Sequence, residues 1–84
     1  MYANLTKQAI KNINRFKNLS PFEVEDYVES SYNDESFQDF LDNCEGKMCT
    51  NLYDEDNDIT IFTELDRGSE EIMVTGVRKG DVRF

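Results

Sequence analysis

Asp54, Glu55, Asp56 and Asp58, in the stretch "NLYDEDNDITIF", put four carboxylates into five positions just before a run of strand-forming residues. Three chemistries use such a cluster: cation binding, acid/base work, and electrostatic attraction of a basic partner. For calcium, Asp54, Asp56 and Asp58 match the first three ligand positions of a helix-loop-helix calcium loop, and Ile61 fits its apolar position. The pattern then breaks: Ile59 replaces the turn glycine and Leu65 replaces the bidentate Glu. The stretch therefore reads as a solvated acidic hairpin turn that at most attracts cations opportunistically, and no dedicated metal site is expected.

Catalysis finds little to work with. There is no histidine, and the four glycines are scattered singly rather than gathered into a phosphate-cradling loop. The carboxylate pairs lie in polar stretches, where no pocket would shift their proton affinity for acid/base work. The expectation is a protein that is not an enzyme and needs no cofactor. The two cysteines, in "CEGKMC", supply half of the four ligands of a structural zinc site. Cys44 and Cys49 read as a disulfide or as a pair of small core residues, the second being favoured by their placement at a helix end and in a strand. Without a secretion signal, they suggest a reduced, cytoplasmic setting.

The whole chain carries -9, unevenly distributed. Residues 20–71 hold seventeen acids against Lys47 and Arg67, whereas residues 1–19 hold Lys7, Lys11, Arg15 and Lys17 with no acid. Arg78, Lys79 and Arg83 return positive charge at the end. This total disfavours direct binding to nucleic acid or to an anionic membrane. The lysines of the first segment are expected to pair internally with the acidic helices.

Eighty-four residues suit one domain with a small core. In "YANLTKQAIKNINRFKNL", Leu5, Ala9, Ile10, Ile13 and Phe16 recur at helical spacing. A second helix is expected from Ser20. That residue is an N-cap, Pro21 suits the first helical position, Glu23 completes a capping box, and Leu19 and Val24 form a staple. Its stripe of Val24, Tyr27 and Val28 leaves Glu25, Asp26 and Glu29 outward. A third helix is expected after a cap at Asn33 or Asp34. Phe37, Phe40, Leu41 and Cys44 would face inward, Asp39, Asp42 and Glu45 outward, and Gly46 would end it.

Beyond Gly46 the period becomes two. "ITIFTEL" sets Ile59, Ile61, Thr63 and Leu65 against Thr60, Phe62 and Glu64; "IMVTGV" alternates likewise, and "DRGSE" between them suits a hairpin loop. "NLY" makes an earlier strand, and "KGD" suggests a turn into a short strand at Val82 to Phe84. The expected fold is α+β: three N-terminal helices followed by an antiparallel meander of three to four strands.

Asp26 with Glu29, Asp39 with Asp42, and Asp42 with Glu45 are like charges at helical contact spacing, which costs a few tenths of a kcal/mol per pair. Solubility alone is better served by mixed signs, whereas a one-sign surface steers toward an oppositely charged partner. Glu25, Asp26, Glu29, Asp39, Asp42, Glu45, Asp54, Glu55, Asp56 and Asp58 are therefore the candidate partner-binding residues. The partner class is a basic nucleic-acid-binding protein, whose groove already accepts a ladder of anions.

"NLT", the acidic helix "SPFEVEDYV" and the acidic hairpin "YDEDNDITIFTELD" together resemble small, acidic, phage-encoded inhibitors that imitate DNA. Anti-CRISPR proteins and uracil-DNA glycosylase inhibitors are of this type. The Glu-Ser-Ile strand of the latter has no counterpart, since "VESS" and "DESF" do not read as strand. The resemblance implies inhibition of a host nuclease, CRISPR effector or repair enzyme. Two alternatives share the same surface: an immunity or antitoxin-type protein neutralising a basic nuclease, and a small acidic structural or assembly protein.

Overall fold

The structure, a computed structural model, describes residues 2–32, 47–66 and 71–83. The elements run β1 (Tyr2–Leu5), α1 (Lys7–Ile13), α2 (Pro21–Ser31), β2 (Lys47–Asp54), β3 (Ile59–Asp66) and β4 (Glu71–Lys79). The strands form one sheet in the order β1-β4-β3-β2. β2, β3 and β4 are antiparallel neighbours, but β1 joins β4 in parallel, Ala3 opposite Ile72 and Leu5 opposite Val74. The class is α+β, but the expected three helices and purely antiparallel meander are corrected to two helices among the described residues and a mixed four-stranded sheet. The helix expected over 34–45, with Asp39, Asp42 and Glu45, lies outside the described residues.

The N-terminus accounts for part of the difference. Leu5 and Ala9 are four apart, as in a helix, yet residues 2–5 alternate between exposed and inward positions as a strand does. Thr6 makes the switch. Its N–H donates to the Val74 carbonyl at 3.0 Å, continuing the parallel ladder, while its Oγ1 accepts from the Ala9 N–H at 3.1 Å and caps α1. Helix α1 then lies along β4 beyond the end of β1. Asn12 Oδ1 accepts from the Val77 N–H at 3.1 Å, satisfying a sheet-edge donor. Gly76 eases this approach, because a Cβ there would sit a tight 3.3 Å from Asn12 Oδ1.

Helix α2 begins as expected. Ser20 is the N-cap, its Oγ accepts from the Glu23 N–H at 3.3 Å, and Pro21 opens the helix. The return half of the capping box is replaced by a side-chain contact, Ser20 Oγ to Glu23 Oε1 at 3.5 Å. Val24 and Val28 are buried, and Leu19 and Tyr27 pack beside them.

Ala3, Ala9, Ile13, Val24 and Val28 meet Ile59, Ile61, Leu65, Ile72, Val74 and Val77 in one core. The inward set of β3 matches the alternation in the sequence, with Thr63 among it. Between Phe62 and Thr63 the register slips, so that Thr75 is the extra residue of a bulge, its Oγ1 donating to the Phe62 carbonyl at 3.3 Å. Thr60, expected on the outer face, has 0% exposure. The chain after β4 covers it: Thr60 Oγ1 donates to the Gly80 carbonyl at 2.7 Å and accepts from the Val82 N–H at 2.9 Å. Residues 81–83 therefore run as an irregular strap, not as the short strand expected there. No described helix is long and apolar enough to cross a membrane.

Candidate functional site: an acidic surface beside the β2–β3 turn

The acids of the turn divide sharply by role. Asp54, at the end of β2, is only 5% exposed. Its Oδ1 accepts from the Asp56 and Asn57 N–H groups at 3.1 and 3.4 Å, and its Oδ2 from Asn57 Nδ2 at 2.9 Å. This carboxylate ties the turn together from inside, as Asp does when it caps a local bend. Asp58 stands at φ 53, the left-handed conformation that Asp tolerates better than most residues. Its carbonyl accepts from the Gly80 N–H at 2.8 Å, and its Oδ1 accepts from the Tyr53 hydroxyl at 2.6 Å. Glu55 and Asp56 are left fully outward, with no described cation paired to either.

The Tyr53–Asp58 bond anchors a larger cluster. The Asp58 carboxylate accepts a hydrogen bond from the phenol, and with partial burial and the negative charge of Asp58, Asp81 and Glu55 this pushes the Tyr53 pKa up to about 12. The guanidinium of Arg83 sits over the Tyr53 ring, 5.2 Å from its centre. Arg83 donates from both Nε and Nη2 to the two Asp81 oxygens, each at 2.8 Å. That bidentate hydrogen bonding holds the Asp81 carboxyl below its ordinary range and raises the Arg83 pKa. Sequence reading missed this cluster. The available signal was the i, i+2 placement of Asp81 and Arg83, which share one side of an extended segment.

Helix α2 contributes unequally. Asp26 is exposed and Glu25 half-buried. Glu29 was expected outward, yet its Oε1 accepts from the Ala3 N–H at 3.0 Å and satisfies β1, so it is a structural residue. Tyr27 reaches across to donate its hydroxyl to the Tyr53 carbonyl at 2.8 Å. That bond joins the acidic helix to the strand that leads into the acidic turn. Of the ten candidates, Asp26, Glu55 and Asp56 are outward and unpaired among the described residues, whereas Glu29, Asp54 and Asp58 serve the fold.

Two further expectations concern the cations of α1, whose expected partners include acids of residues 34–45 outside the described residues, and the cysteines. Lys7, Lys11 and Arg15 make no ion pair with a described acid; the ion pair among the described residues is Arg83 with Asp81. Cys49, for which the sequence favours a small core residue over a disulfide, is a free and exposed thiol on β2, while Cys44 lies outside the described residues. Comparison with protein-family models, curated proteins and solved structures finds no match to this chain.

Proposed function

We propose that this protein is an acidic inhibitor that occupies the basic nucleic-acid-binding site of a host defence or DNA-processing protein, as anti-CRISPR proteins of the DNA-mimic type do. It acts by binding, without catalysis or cofactor, in the cytoplasm of an infected bacterial cell. Asp26, Glu55 and Asp56 stand where phosphates would stand in the partner's groove, with Glu25 beside them. The observation that carries this reading is the Tyr27–Tyr53 hydrogen bond, which ties α2, the helix of Asp26, to the strand that leads into the turn of Glu55 and Asp56. Carboxylates fixed in place lose less entropy on docking than carboxylates on a loose loop.

The test is capture of the partner from bacterial lysate, followed by competition with duplex DNA. Displacement of the protein by DNA, with affinity falling steeply as salt rises, is expected.

A further inference from the structure

The two basic ends of this acidic chain meet in space. A hollow of about 550 Å³ lies between α1 and the end of β4, lined by Gln8, Asn12, Arg15, Phe16, Arg78 and Lys79 among others. No described acid lines it. A second hollow of about 540 Å³ shares Arg15, Phe16 and Lys79 and continues past Lys17 to Asn57 and Asp56 of the turn. None of Arg15, Lys17, Arg78 and Lys79 pairs with a described acid. Phe16 is half-buried at the junction of the two hollows.

We infer that this groove binds a nucleoside phosphate, either as a free nucleotide or as a unit of a single strand. Arg15, Arg78 and Lys79 supply charge for the phosphate, in the hollow that no described acid lines. Phe16 offers an aromatic surface for a base, a contact that every base can make. The side-chain amides of Asn18 and Asn57, which line the second hollow, offer hydrogen-bonding groups for a base edge. A hollow of this size suits a ligand of nucleotide dimensions. The net charge of -9 opposes an anion at long range, but screening over about 8 Å at physiological salt leaves the local cations to decide at contact. The inference is independent of the inhibitor reading and uses residues of the opposite charge.

The experiment is amide chemical-shift titration of the isotope-labelled protein with adenosine monophosphate, a short oligothymidylate and inorganic phosphate. Both nucleotide probes are expected to shift the amides of Arg15, Phe16, Arg78 and Lys79. Tighter binding of the oligonucleotide marks a single strand as the ligand, and equal binding marks a free nucleotide; both support the site. The double variant Arg78→Glu, Lys79→Glu, at two exposed positions, should weaken binding by about tenfold or more. Phe16→Leu should weaken the nucleotides by about tenfold without changing the response to inorganic phosphate. Shifts confined to other residues, an absence of shifts, or inorganic phosphate acting as strongly as the nucleotides would overturn it. The basic variants should not reduce capture of the protein partner, so failure of the two readings is distinguishable.

Discussion

The hydroxyl of Tyr53 donates to Asp58 Oδ1 at 2.6 Å, across a turn in which Asp58 itself holds a left-handed backbone. One carboxylate thus satisfies a phenol, and its residue reverses the chain. This bond has a consequence in alkali. The Tyr53 pKa stands at about 12 against an ordinary 10.0, so its stabilising contribution is complete below pH 10 and is lost as the pH rises through 12. An ultraviolet phenolate titration should show a step near pH 12, and Asp58→Asn should bring that step down.

Backbone strain at Asp58 can be read separately. Asp58→Ala keeps a Cβ in the left-handed region and removes the acceptor, and should cost about 1–2 kcal/mol in urea unfolding. Asp58→Gly loses the same acceptor but relaxes the backbone, so it should cost less than the alanine variant.

Asp54 and Asp56, two residues apart in a run of acids, should behave oppositely. Asp54→Ala removes three hydrogen bonds from inside the turn and should destabilise by about 1–2 kcal/mol. Asp56→Asn, at an outward position, should change stability by less than about 0.5 kcal/mol. The pair separates a buried, hydrogen-bonded acid from an exposed one within the acidic run.

Thr60 holds the strap after β4 through both of its hydrogen bonds. Thr60→Val preserves shape but leaves the Val82 N–H without its acceptor. The expected result is faster amide exchange at Val82 with β3 and β4 still protected, at a cost of about 1–2 kcal/mol.

The parts of this fold set by neighbouring residues were legible in the sequence. The Ser20 cap with Pro21 behind it, the alternation of β3 and the tight turn before Ile59 are all local signals. What was not legible depends on distant contacts. Residues 2–5 suit a helix as well as a strand, and only β4, near the other end of the chain, makes them a strand. The acidic run looked uniform because charge is visible in a sequence and burial is not. Asp54 and Asp58 turned out to be turn chemistry, of the kind that Asp shares with Asn. Glu29 carried the outward pattern of its helix, but its long side chain reaches the backbone of β1. The convergence of Arg15 with Arg78 and Lys79 follows from the same parallel β1–β4 pairing and was equally hidden.

The central claim is that Asp26, Glu55 and Asp56 form a phosphate-like docking surface. Its most direct test is the affinity of the captured partner for the parent protein and for the variant Asp26→Lys, Glu55→Lys, Asp56→Lys, each with and without competing duplex DNA. These residues bear no described structural hydrogen bond through their side chains, so the variant should fold like the parent. The expected result is DNA-competitive binding by the parent and a loss of about a hundredfold in the variant. Equal binding by parent and variant at low salt, or a partner that holds DNA and this protein together without competition, would contradict it.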